Sequence, residues 1–505
     1  MECSDLAPLS DARPDAREDR RARSPQSKPA CRCPKERVRE TIMLRQIAKC
    51  VGLTLLGISV GVLIQGIPKE PDVDSVSYQL MAAGRMDQVV DPYSNRVLHP
   101  FAVRALAGLM GGAESELLRE QAFLWLACGS LLLFVWMLSL LAREKQSLIS
   151  QLALFISPSL CLFFINRYLP DLFVNALVGL LFVLLFRGRF GWALLVLFLL
   201  QLARESTYLL TFAWLISAFF SQKGMRYAIA AVLVALFGMV SVAYLSRDAQ
   251  PNIHGLSTIQ YLASKVVANG LVNIFGITPW SDTYALRLPH YYPDPPLWKM
   301  ALSSAAALGG VKEIGIYSFD GHLPLKLLCT VVTTVGILPL LFFRTRIAEY
   351  RKQFLRWPLA IQVALFSGLL YLLLAPFSGR SIERLFGYAW PLWCFVLPWL
   401  LATQKCKYAT VLEKRSFFLI HACCCWTPII LSRILQAHGA MYFALVGLVV
   451  FVCYWFGWRS VRESLECGDL APLSDARPTY ASTFAKATAD WKATADKTAD
   501  RPAAR

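Results

Sequence analysis

The chain reads as an all-α, polytopic transmembrane helical bundle of about twelve hydrophobic segments, and three observations lead there. Of its 505 residues 56% are hydrophobic and 12% aromatic, and a mean hydropathy of +0.46 belongs to a membrane chain, not to a soluble protein of several domains. Apolar runs long enough to cross about 30 Å of hydrocarbon recur from Ile47 to Gly457. The net charge of +17 gathers in short links and in the two ends, as it does in cytoplasmic loops of membrane proteins. No basic face with interleaved aromatics lies outside those links, which argues against nucleic acid as a partner.

The ends stand apart. Residues 1–45 form a basic extension in which Glu2 to Pro14 repeats, with a single difference, as Glu466 to Pro478 in the tail 459–505. The tail goes on to repeat Ala-Thr-Ala-Asp at Ala487 and Ala493, a low-complexity tract with too little apolar surface to offset the entropy of folding. Both ends are predicted to be disordered and dispensable, a translated repetitive element, with Met43 as the natural start and no signal peptide.

Between them the transmembrane domain, 46–458, takes spans near 46–67, 122–142, 147–165, 171–186, 225–245, 325–343, 357–375, 386–402, 416–435 and 439–457. The stretch 190–220 would make a helix of roughly 46 Å, too long for one comfortable pass. Treating it as a pair of short helices puts the basic links Arg143 to Lys145, Arg187 to Arg189, Lys223 to Arg226, Arg344 to Arg356, Lys405 to Arg415 and Arg459 to Arg462 on one, cytoplasmic side with both termini. The polar clusters, with the loops 68–121 and 246–324, then face outward. In the second of these, His290 to Trp298 carries aromatics suited to a sugar or to the membrane interface, and Trp298 to Leu308 reads as a surface-lying helix.

Fourteen cysteines pose the question of disulfides or metal. Cys128, Cys161, Cys329, Cys394, Cys423, Cys424, Cys425 and Cys453 lie inside apolar spans and read as small packing residues. Cys31-Arg32-Cys33 has the wrong spacing for a zinc knuckle.

The first outward loop concentrates the chemistry. Asp72-Val73-Asp74 pairs carboxylates two apart, a pattern that binds a divalent cation such as magnesium or manganese through hard oxygens, or leaves one carboxylate as a general base. The same pattern also occurs in solvated loops that cap a helix. Tyr78 follows Asp74 by one helical turn, on the same face. Arg96, His99 and Arg104 follow, with Pro100 marking a helix start; they either hold a phosphate or form an interfacial helix whose arginines snorkel.

Arg204-Glu205 near the middle of 190–220 is costly at membrane depth. It is either an internal ion pair or a site where Arg204 grips a phosphate in two places. Arg380, Glu383 and Arg384 offer a second phosphate clamp before Tyr388, unless Glu383 neutralises one arginine. Asp171 after Asn166-Arg167-Tyr168 is an N-cap or a further cleft carboxylate.

A first span, an outward Asp-x-Asp near the membrane, and Asp74-x-x-x-Tyr78 running into a helix resemble the GT-C superfamily of polytopic glycosyltransferases, in layout over 46–400 and in motif over Asp72 to Arg85. The resemblance implies a sugar moved from a polyprenyl-phosphate carrier to a glycan, lipid or protein acceptor on the outer side of a bacterial inner (plasma) membrane. It makes Asp74 the better match to that family's catalytic carboxylate or metal ligand, with Asp72 beside it. The chain departs from the pattern in lacking an Asp-Glu pair and a large soluble C-terminal domain. A transporter or flippase of a lipid-linked or anionic substrate is the competing reading. It needs charges deep in several spans, whereas these gather at one rim; no inverted repeat or glycine-rich nucleotide loop is evident.

Overall fold

The computed structural model describes residues 73–90, 93–141, 157–159, 163, 166–221, 224–250, 258–281, 297–301, 313–342, 354, 357–379, 382–403, 415–435 and 439–467, with single positions between 51 and 59. The spans expected at 46–67 and 147–165 fall largely outside the described residues, as do Asp72, Arg380 and both ends. All that follows concerns the unit Lys49–Arg505.

Helices dominate. α1 (Val73–Ala82) and α2 (Leu98–Leu109) precede the long α3 (Glu116–Leu141); α4 (Asp171–Phe186), α5 (Phe190–Ala203), α6 (Tyr208–Ser221) and α7 (Met225–Leu245) follow. After α8 (Thr258–Phe275) and three strands come α9 (His322–Val335), α10 (Leu359–Ser378), α11 (Ile382–Gly387), α12 (Leu397–Thr403), α13 (Arg415–Ile434) and α14 (Ala440–Cys467). α3, α7, α10 and the stretch Ala440–Arg462 of α14 are long and apolar enough to cross a membrane. Ile229, Leu233, Leu236, Phe237, Val240 and Tyr244 of α7 are exposed, an apolar surface that suits lipid and not water. This is a helical membrane protein.

The main core lies where α3, α4, α5, α6 and α10 meet, with Phe134, Phe182, Trp214, Trp390 and Phe395 buried together. A smaller cluster joins Tyr78, Met81, Val103, Phe123 and Tyr168. It seats α1 and α2 on the start of α3 and on the turn before α4.

Two helices occupy 190–221. The break comes at Arg204, whose backbone is extended (φ −167°, ψ 137°), followed by a 3-10 turn over Glu205–Thr207. The Thr207 hydroxyl lies 2.9 Å from the Leu200 carbonyl and 2.6 Å from that of Arg204, adding a second donor to helix-end acceptors that the Arg204 and Thr207 amides also reach.

Two expectations change. The span 325–343 is not one helix: α9 stops at Gly336, which takes φ +53°, and a 3-10 turn covers Leu338–Phe342. A side chain at Gly336 would strike the His421 ring, so the close approach of α13 requires glycine there. Trp298 does not begin a helix. Trp298–Ala301 (β2) pairs antiparallel with Glu313–Phe319 (β3), which also pairs with Ile277–Ser281 (β1). Lys299 bridges the strands, 4.7 Å over the Trp280 ring and 3.4 Å from Glu313, a cross-strand arrangement that favours pairing over a helix start here; the rest of that expected helix, 302–308, lies outside the described residues. The described residues of the loop 246–324 thus include one helix, α8, and a small sheet.

Gly387, the last residue of α11 and next to Tyr388, has no room for a side chain: a Cβ would lie 2.6 Å from the Ser159 carbonyl and 2.7 Å from the Phe163 ring. Gly387→Ala is expected to destabilise by about 1–3 kcal/mol. The thermal unfolding midpoint in detergent checks this, and an unshifted midpoint would contradict the packing.

Candidate functional site

Tracing the polar side chains outward from the α5–α6 break yields one connected cluster. Arg204 donates from Nη1 to Asp171 Oδ1 and to the Tyr388 hydroxyl, 2.6 Å away, and that hydroxyl donates to Asp171 in turn. Arg384 approaches the other Asp171 oxygen at 3.5 Å. The adjacent Glu205 turns the opposite way, accepting from Arg96 Nε at 2.8 Å and from its Nη2. Arg96 Nη1 then donates to the Tyr78 hydroxyl at 2.6 Å. Arg204 and Glu205 thus do not pair with each other. Each is matched to a separate element, which is why the backbone between them is extended.

This placement is costly. Arg96, Asp171 and Arg204 are all under a tenth exposed, and ions taken from water need both an opposite charge and hydrogen bonds. Burial alone would lower Arg96, but the Glu205 and Tyr78 oxygens outweigh it and hold the guanidinium well above its ordinary value. Tyr78 is raised by burial, with Arg96 pulling the other way. Four buried polar atoms near these charges, Arg204 Nε, Arg384 Nε, His99 Nδ1 and Ser206 Oγ, have no hydrogen-bond partner. Such groups usually mark where a ligand or water completes the network.

Asp171 is not an N-cap. It is the first residue of α4 behind Pro170, which makes no side-chain cap, and its carboxylate goes to the arginines. Its approach is braced from outside the cluster: Glu120 accepts from Gln79 at 2.8 Å, Tyr168 at 2.6 Å and Arg167 at 3.1 Å. α1, α3 and the turn before Asp171 are thereby pinned together. Inside α4, Asn175 donates to the Asp171 carbonyl at 2.8 Å and accepts from Trp390 at 2.7 Å.

Asp74 is half-buried in the first turn of α1 and accepts from the Tyr93 hydroxyl at 2.7 Å. The Tyr93 ring lies 5.9 Å from the Arg96 guanidinium and 6.4 Å from the Tyr78 ring. One tyrosine therefore separates Asp74 from the ion pairs. Among the described carboxylates of the cluster, Asp74 alone has no arginine partner.

Arg104 does not join Arg96 and His99. It pairs with the exposed Glu114 at 2.9 Å and covers Gly84, because it lies on the far face of α2. The Arg380 and Asp72 expectations fall outside the described residues, as does the Glu383 side chain. Arg384 meets Asp171 instead. Tyr93 carried no signal in the sequence, whereas Tyr388, one helical turn beyond Arg384, could have been read from that spacing.

His99 is 2% exposed, boxed by the rings of Tyr78, Phe123 and Phe173 at 6.5, 5.6 and 5.8 Å. Burial lowers it to about 4, against a smaller upward pull from Asp171. The folded protein thus binds this proton more weakly than the unfolded chain, so the contribution is intact above pH 6.5 and falls as pH drops toward 4, by ~3 kcal/mol. The unfolding midpoint should fall more steeply over that window in wild type than in His99→Phe, and parallel profiles would refute this.

Among the described residues no group of three His, Cys, Asp or Glu side chains is placed to hold a metal. Around Asp74 the described residues offer one carboxylate, a phenol and nearby cations; Asp72, the second carboxylate of the expected cation site, lies outside them. No family model matches the chain, and no curated protein or solved structure matches it.

Proposed function

We propose that the chain is a membrane glycosyltransferase of the GT-C kind, moving a sugar from a polyprenyl-phosphate carrier to an acceptor hydroxyl on the outer face of a bacterial inner membrane. The observation that supports it best is the contrast between two kinds of carboxylate. Asp171 and Glu205 are held by Arg204, Arg384 and Arg96 and are poor proton acceptors, whereas among the described residues Asp74 is hydrogen-bonded by the Tyr93 hydroxyl and by no arginine. A general base and an anion-holding group side by side are what this transfer needs.

In the reaction Asp74 takes the proton of the acceptor hydroxyl, and the oxygen attacks the anomeric carbon from the face opposite the carrier. The carbon–oxygen bond to phosphate breaks, and its electron pair leaves with the phosphate oxygen. Arg204 and Arg384, each with a buried Nε unpartnered, stabilise that charge. Three guanidiniums against two carboxylates in the buried part leave it net positive, as a site for a phosphodiester requires. No step is routed through a metal. The acceptor is a glycan, lipid or protein.

The test is transfer of radiolabelled sugar from polyprenyl-phosphate donors in membranes holding wild type or Asp74→Asn at matched expression. Wild-type transfer lost in the variant supports the reading. Transfer from no donor, with uptake or flipping of a lipid-linked substrate instead, replaces it with the transporter.

A further inference from the structure

Two asparagines of α8 are turned on a neighbouring helix. Asn269 and Asn273 lie one helical turn apart and so share a face, and they are 7% and 2% exposed. A side-chain amide at that depth needs acceptors. Asn273 donates to the carbonyls of Pro376 at 2.6 Å and Gly379 at 2.9 Å, and Asn269 to that of Phe377 at 3.3 Å. The last carbonyls of a helix have no amide of their own helix to accept from, and Pro376 and Phe377 lie in the last turn of α10. α8 therefore caps α10 from outside. Between the two asparagines Gly270 admits the Phe377 ring, to which a Cβ there would come within 2.7 Å.

The cap falls at the corner that leads to the site. Past Gly379 the chain enters α11, which carries Arg384 to 3.5 Å from Asp171. Phe386 of α11 packs with Leu327, Val331 and Ala375, which holds the segment against α9 and α10. Apolar packing of that kind has no direction. The three amide bonds do, and they decide where α10 stops and α11 departs. We infer that Asn273 is a positioning residue of the anion site: by holding the α10–α11 corner it sets where Arg384 meets the phosphate of the donor. The inference rests on the transferase reading of the same site and extends it to a helix of the loop 246–324.

α8 is itself held at its end. Gly276, which follows it with φ +69°, accepts at its carbonyl from the Asp320 amide at 2.8 Å, so the anchor is tied to the start of α9. A guanidinium gains most from a phosphate when its donors lie along the oxygens, and a displacement of ~1 Å forfeits much of such a contact. The other cations of the site belong to other elements, Arg204 to the α5–α6 break and Arg96 to the turn before α2. Tyr388 has its own seat, since Gly387 before it closes on Ser159 and Phe163. Loss of the cap is therefore felt at Arg384.

The experiment uses the full chain purified in detergent and measures equilibrium binding of a polyprenyl monophosphate and of the matching polyprenol. Asn273→Leu, of similar size but without a donor, is expected to weaken phosphate-lipid binding about ten-fold and to leave polyprenol binding unchanged. In an Arg384→Met background the same change should cost nothing further, because the contact it misplaces is already gone. Asn269→Ala, which removes the single 3.3 Å bond, should show the same coupling with a smaller loss, and it carries the test if Asn273→Leu does not fold. If wild type prefers the phosphate and Asn273→Leu binds it as tightly, the inference fails and the transferase reading stands. An equal loss with and without Arg384, or an equal loss toward both probes, also overturns it, as the mark of a structural role alone. If wild type shows no preference for the phosphate, the reading of the whole site fails and takes the inference with it.

Discussion

Asp74→Asn is expected to lower sugar transfer by about 10²–10⁴-fold, with an unfolding midpoint close to that of wild type. Asparagine keeps an oxygen to accept from Tyr93 but is not basic, so the substitution removes proton transfer and little else. Asp74→Ala should be no less inactive and also less stable, since it leaves the Tyr93 hydroxyl without this acceptor. The comparison separates chemistry from scaffold. A variant that transfers sugar at the wild-type rate would clear Asp74 and direct attention to Asp72, two residues earlier.

The second large effect is on stability. Asp171 is 2% exposed and faces Arg204, Arg384 and Tyr388. Asp171→Ala leaves two guanidiniums buried without their carboxylate and is expected to destabilise by ~3–5 kcal/mol. Converting Arg204 as well should recover much of that, so Asp171→Ala with Arg204→Met is expected to unfold at a higher temperature than Asp171→Ala alone. Additive losses would mean that the two side chains are not energetically coupled. Neither variant is expected to bind a phosphate-bearing lipid as wild type does, because the recovered stability comes from removing the charge that the ligand uses.

The cluster explains why the polar residues looked isolated in the sequence. Arg204 and Glu205 are neighbours in the chain, and the simplest reading paired them; the structure sends one to Asp171 and the other to Arg96. Opposite charges on adjacent residues point to different sides of an extended backbone, so sequence adjacency argued against the very contact it suggested. Arg104 shows the converse. It follows His99 closely on α2, but the helical rotation turns it toward Gly84 and Glu114.

Hydrophobicity by itself determined the helical membrane class, the positions of α3, α7, α10 and α14, and the need for a break within 190–220. Each follows from run length against the thickness of a bilayer, a one-dimensional quantity. Charge at an apolar site also marked Arg204, Glu205 and Asp171 as residues with a purpose. What only the tertiary structure decided is who meets whom. Tyr388 lies 217 residues from Asp171 and Arg96 109 from Glu205. The Trp298 strand is set by its pairing with Glu313 to Ile316, and α8 by Asn269 and Asn273 donating to carbonyls at the end of α10. Such partners are chosen by packing, since a buried charge is stable only where an opposite charge and hydrogen bonds await it, and no local spacing encodes where that is.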